Sequence, residues 1–274
     1  MTITLTQLGV DYAGAGTPAL SNVTLTFEPG EQVALIGPSG AGKTTLLQTL
    51  ALAQRPHNGV LEAFGCMPWE QSSARRHALR AQLFLAPQTP PLPPRQRVVS
   101  AVLAGRLPHW SLWRAIVSLL RPLEVQRAFD ALSRFSLEHK LYNRVERLSG
   151  GERQRCSIAR LLVCEARVLL VDEPLSALDP TLALQTLAVI QEEATRRNAI
   201  LVCSLHQVEL ARERFSRLVG LREGRVVFDA RKEDVSDAMV EALYRNASGQ
   251  TEQLLPAFDS VNHSGPEIVV VPRC

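Results

Sequence analysis

Gly37, Gly42, Lys43 and Thr44 stand in the stretch LIGPSGAGKTTLL, from Leu35 to Leu47. Of the 30 basic residues in the chain only Lys43, Lys140 and Lys232 are lysines. A position that keeps lysine in so arginine-rich a sequence calls for a compact point charge on a thin stem. The spacing fits G-x-x-x-x-G-K-[ST], a phosphate-binding loop. Its glycines let the backbone close around phosphate with successive N–H groups turned inward, and a helix starting near Lys43 adds the positive end of its dipole. Lys43 is expected to reach the β- and γ-phosphates and the Thr44 hydroxyl to sit on Mg²⁺. Pro38, Ser39, Gly40, Ala41 and Thr45 complete the cradle.

Two more segments carry chemistry of the same kind. VLLVDE ends an apolar run with two carboxylates. Asp172 is placed to hold Mg²⁺, and Glu173 to polarise a water attacking the γ-phosphate. LSGGERQR, from Leu148 to Arg155, places Ser149 as a helix N-cap. Gly150 and Gly151 then expose backbone N–H groups at the helix start, a second phosphate-binding end.

These segments need elements to hold them. ITLTQLGVDY and LSNVTLTFEPGEQVALIG read as strands, as do GVLEAFG, AQLFLAPQ, ARVLLVDEP and AILVCSLH. KTTLLQTLALA reads as an apolar helix and Pro180 to Arg197 as another, while RLVGLREGRVVFDA reads as a hairpin. TPPLPPRQR forbids regular structure. From about Val98 to Lys140 apolar residues recur at three- and four-residue spacing, as in helix. Strands alternating with helices predict an α/β fold with a parallel sheet. The expected layout is residues 1–230 as one domain, with a helical subdomain inserted at about 95–155, then a C-terminal helix and an irregular tail within 231–274.

Composition narrows the classes. At 274 residues, 46% hydrophobic and 21% charged, this is an ordinary globular chain, long enough for one large domain or two small ones. A net charge of +3 argues only weakly for a nucleic-acid or anionic-membrane partner. No apolar stretch is long enough to span a bilayer, and MTITLTQLGVDY does not read as a signal peptide. The five cysteines lack paired or metal-like spacing, so free thiols in a reducing compartment are expected.

Taken in order, these motifs resemble those of ABC ATPases, over about Ile3 to Asp229. The resemblance implies a P-loop NTPase (RecA-like) core with N-terminal antiparallel strands and an inserted α-helical subdomain, and ATP with Mg²⁺ as the cofactors. SALD, Ser176 to Asp179, matches the family's D-loop. Gln88 matches the Q-loop glutamine that senses Mg²⁺ and contacts the membrane partner. His206 matches the switch histidine, and Tyr12 the aromatic that stacks on adenine. Two departures stand out: Glu152 where the signature more often has glutamine, and Ala86-Pro87 where an aromatic stretch precedes the Q-loop.

The resemblance further implies a head-to-tail homodimer, each ATP lying between one copy's P-loop and the other's signature. Separate integral membrane permease subunits and a periplasmic or extracellular substrate-binding protein follow from an importer reading, with the chain peripheral on the cytoplasmic face of the inner membrane. VLAGRLPHWSLWRAIVSLLRPLEVQRAFDAL, HQVELARERFSRLVGLREGRVVFD and LYRN resemble the phosphonate-importer ATPases, which handle phosphonates and reduced oxyanions such as phosphite and hypophosphite. The alternatives are an ABC ATPase for another import substrate, an exporter, or a nucleic-acid-associated ABC ATPase. The last usually carries coiled-coil insertions, zinc modules or paired cassettes, and none is visible, so no nucleic-acid partner is expected.

Overall fold

The computed structural model describes residues 2–12, 14 and 17–245. In chain order the elements are β1 (Ile3–Val10), β2 (Leu20–Phe27), β3 (Gln32–Ile36), α1 (Lys43–Leu50), β4 (Asn58–Ala63), α2 (Ser73–Arg80) and β5 (Leu83–Ala86). Then come α3 (Val98–Leu103), α4 (Leu112–Leu120), α5 (Val125–Ser133), α6 (Gly150–Val163), β6 (Val168–Asp172) and α7 (Pro180–Arg197). The last are β7 (Ile200–Ser204), α8 (Val208–Arg214), β8 (Arg217–Arg222), β9 (Arg225–Arg231) and α9 (Asp237–Tyr244).

Two sheets form the α/β frame. β2, β1 and β4 make an antiparallel sheet with Ile3 paired to both Phe27 and Ala63. The larger sheet runs β5-β6-β7-β3-β8-β9, parallel throughout except for the β8–β9 hairpin. β6 and β7 are buried at every residue, as strands covered on both faces must be. Period-two alternation splits their side chains between two cores. Ala34, Ile36, Leu169, Val171, Leu201 and Cys203 join the core containing residues of α3, α5, α6 and α7. Val33, Leu35, Val168, Leu170 and Val202 join Leu46 and Leu47 of α1 and the apolar face of the N-terminal sheet.

The region expected to be helical is broken into short pieces. α3 runs into a 3₁₀ turn over Ala104–His109 that contains Pro108. α4 restarts at the N-cap Ser111, whose hydroxyl accepts from Arg114 N, and Pro122 separates α4 from α5. Proline removes a backbone donor and crowds the preceding turn, so one long helix cannot form. The expected subdomain edge at 155 falls inside α6, and the one at 230 falls inside β9. α2 and α8 were not expected: SARRHALR buries only Leu79 and so lacks an apolar stripe. Cys156, Cys164 and Cys203 are buried free thiols, and Cys66 is half-buried. Among the described residues no helix is long and apolar enough to cross a membrane. The tail from Ala247 and the Asn246 end of LYRN lie outside the described residues.

Candidate functional site

The loop between β3 and α1 is shaped by close backbone approach. A Cβ on Gly42 would lie 2.7 Å from Ala19 O, and Gly42 itself is left-handed at φ 101°. Gly40 is also left-handed, at φ 78°. Gly42 is the N-cap of α1 and provides no side-chain acceptor to the first-turn amides, which carry no acidic neighbour either. Those N–H groups and the dipole behind them suit an oxyanion. Lys43 is only 5% exposed, and its Nζ donates to Gly37 O at 2.7 Å and Pro38 O at 3.1 Å. Together with Ser39, Thr44, Gln88, Glu173 and His206 it lines a cavity of about 320 Å³. N–H donors, a buried ammonium and an adjoining carboxylate are the donor set a magnesium-bound polyphosphate needs.

Parallel pairing of β6 brings the carboxylates to this cavity. The Thr44 hydroxyl donates to Asp172 Oδ2 at 2.8 Å, so the two expected Mg²⁺ ligands touch. The Ser204 hydroxyl donates to Asp172 Oδ1 at 2.6 Å and accepts from Glu173 N at 2.9 Å. Glu173 is left-handed at φ 47°, a strained conformation for a residue with a Cβ that is held by its surroundings. Its Oε1 lies 2.6 Å from His206 Nε2, and its Oε2 accepts from Gln88 Nε2 at 2.5 Å. The hydrogen bond from His206 holds the Glu173 carboxyl below its ordinary pKa, opposed by partial burial and helped by the charges of His206 and Lys43. Ser204 was not among the expected site residues. Its only sequence signal is its place two residues before His206, at the end of an apolar strand.

The remaining expected residues fall on either side. Tyr12, 41% exposed, places its hydroxyl 3.3 Å from both Thr45 Oγ1 and Gln48 Oε1 on α1. Ser149 caps α6 in a reciprocal capping box: its Oγ accepts from Glu152 N at 3.2 Å, and Glu152 Oε2 accepts from Ser149 N at 2.8 Å. That bond depresses the Glu152 pKa, against burial and with help from Lys140 at 3.3 Å. Glutamic acid therefore serves the cap as glutamine would. Gly151 is pressed against the Ser176–Asp179 segment, since a Cβ there would lie 3.0 Å from Ala177 O. Gly150 has open space on that side. The signature residues do not line the P-loop cavity; Gly150 lines a second cavity, of about 460 Å³, and Gln88 lines both.

A P-loop cradle, a strand-end acid pair and a separate glycine-headed helix on this α/β frame define an ATP-binding cassette. The chain matches the ABC transporter family over residues 20–176 and belongs to that family; it is an ATPase. It is 50% identical, over 97% of its own length and 98% of the relative's, to the Phosphonates import ATP-binding protein PhnC 2 of Pseudomonas aeruginosa. It is 48% identical to its Pseudomonas fluorescens namesake over the full length of both. Among solved structures, a dimeric bacterial ABC transporter cassette matches 84% of the chain and 98% of its own, with TM-score 0.74 at 23% identity. An ATP-binding subunit of an ABC transporter matches 85% and 91%, with TM-score 0.71 at 25% identity.

Proposed function

We propose that this chain is the ATP-hydrolysing subunit of an importer for phosphonates or related reduced phosphorus oxyanions such as phosphite and hypophosphite. The observation that carries the hydrolytic reading is the grip of Gln88 and His206 on the two oxygens of Glu173, beside Lys43 and the Thr44–Asp172 pair. The near full-length likeness to phosphonate-import proteins supports the substrate class.

In this reading Tyr12 stacks on adenine, and the amides of Gly37 to Thr45 with the Lys43 ammonium bind the β- and γ-phosphates. Thr44, Asp172 and Gln88 hold Mg²⁺. When bound, Mg²⁺ neutralises charge developing on the phosphate oxygens. Glu173 stays ionised and accepts a proton from the attacking water, while His206 and Gln88 fix the direction of its carboxylate. Ser149, Gly150 and Gly151 sit away from the chain's own P-loop cavity, so they serve the nucleotide of a second copy and a homodimer forms around two ATP molecules. Permease subunits in the membrane and an external binding protein complete the system, with this chain on the cytoplasmic face.

Deleting the gene and testing growth on phosphate, phosphite, hypophosphite and several alkylphosphonates as sole phosphorus source tests the substrate. Growth on phosphate should persist and growth on at least one reduced source should fail. Normal growth on all reduced sources would overturn the substrate class while leaving the ATPase reading intact.

A further inference from the structure

From Gln71 to Leu123 the chain has no aspartate or glutamate and carries eight arginines. The whole chain is only +3, so the rest of the sequence is net negative. Near the end of this acid-free run lies α4, LWRAIVSLL, with Leu112, Trp113 and Ile116 turned outward. Leu112 is 78% exposed, Trp113 73% and Ile116 44%. Their i, i+1, i+4 spacing puts them on one face of the helix. Leu107 and Leu123, before and after the helix, are also exposed. Arg114, half exposed, is paired with Glu124 at 2.6 Å and lies over the Trp110 ring, which neutralises its charge beside that face. Arg121 follows directly as an exposed cation.

Water is a poor neighbour for such a face: a tryptophan and two aliphatics exposed side by side cost free energy that a partner recovers. An amphipathic helix with an apolar outward face, an exposed tryptophan and an exposed arginine at its end, the nearest acid, Glu124, being taken up by Arg106, Arg114 and Arg127, has the chemistry of a helix lying in a membrane interface. We infer that α4 rests on the anionic lipid surface, with Leu112, Trp113 and Ile116 at the headgroup–acyl boundary and Arg121 among the phosphates. A protein groove could receive the same apolar side chains, but it would give no reason to exclude every acid over so long a run. A negatively charged bilayer does, because each carboxylate near it would be repelled. The inference rests on membership of a membrane-transport family and not on the phosphonate reading; growth results on phosphorus sources do not bear on it.

The test uses the purified full chain with vesicles of phosphatidylcholine alone, or with a third phosphatidylglycerol. The wild type should sediment with the anionic vesicles and be released by salt. Replacing Leu112, Trp113 and Ile116 together by serine should lower partitioning about tenfold or more while leaving ATPase activity unchanged. Acyl-brominated lipids should quench wild-type fluorescence more than that of Trp113→Phe. Equal quenching in the two proteins, or a wild type that stays in the supernatant, overturns the inference. So does a triple variant that keeps its vesicle binding, or one that no longer co-purifies with permease subunits in detergent, since that result assigns the face to protein.

Discussion

The hydroxyl of Ser204 donates to Asp172 Oδ1 at 2.6 Å, between register partners on the adjacent strands β7 and β6. The Ser204 Oγ also accepts from Glu173 N. One side chain thus aims the candidate Mg²⁺ ligand and anchors the left-handed backbone of the candidate base. Ser204→Ala should leave the buried Asp172 short of a donor, costing about 1–2 kcal/mol of stability. ATPase activity should fall about tenfold and the Mg²⁺ requirement should rise, as when other supports of a metal ligand are lost. An unchanged Mg²⁺ titration would remove Ser204 from the site.

Lys43→Ala should reduce ATP affinity by two orders of magnitude or so, because a buried ammonium is worth far more to a phosphate than an exposed one. Equilibrium binding of a fluorescent ATP analogue measures it. Near-normal affinity would sink the assignment of Lys43 to the phosphates.

Glu173→Gln should preserve ATP binding and slow hydrolysis about a hundredfold or more, since an amide does not take a proton from water. The variant's amide oxygen can still accept from His206, and its NH2 can donate to the Gln88 amide oxygen once that amide turns over, so both contacts survive. With Mg-ATP its mass by light scattering should rise to that of a dimer. Rapid turnover by this variant would point to a different base.

Glu193 is 5% exposed and accepts from Arg196 at 2.9 and 2.5 Å and from Arg197 at 2.5 Å at the end of α7. Burial pushes its pKa up, but the hydrogen bonds and charges of both arginines prevail and hold it below the ordinary value. A depressed carboxyl stabilises the fold above its unfolded pKa, near 4.3, and loses that contribution as pH falls through its lower folded value. Glu193→Gln should therefore cost about 1–3 kcal/mol at neutral pH, with the gap to wild type closing towards about pH 3. Urea unfolding at both pH values checks this; a gap that widens in acid contradicts the ion-pair account.

How far the sequence predicts all this depends on whether a feature is local. The P-loop, the carboxylate pair and the capped start of α6 were legible because each is complete within a few consecutive residues. Pro180–Arg197 was read as a helix between two strand-like runs, and it is the helix seen. Ser204 was invisible because its role exists only once β6 and β7 lie side by side; nothing in AILVCSLH tells a site serine from a strand-end serine. The order β5-β6-β7-β3-β8-β9 is likewise set by packing between distant segments. Reading Val98–Lys140 as helix identified the helical character but missed its breaks. Pro108 and Pro122 were in plain view, yet the apolar spacing on either side of them outweighed the punctuation.

Gln88 lines both the P-loop cavity and the cavity beside Gly150, and its amide is bonded to Glu173. Anything that settles in the second cavity and displaces that amide also alters the setting of Glu173. The traffic runs both ways by thermodynamic necessity. Whatever factor an occupant of the groove imposes on nucleotide affinity, nucleotide returns to the occupant's own affinity. The Gln88 amide is one link between the two cavities, beside Ser176, which lines the second and donates to Glu173 O, so a change at residue 88 should weaken both directions of the exchange by the same factor.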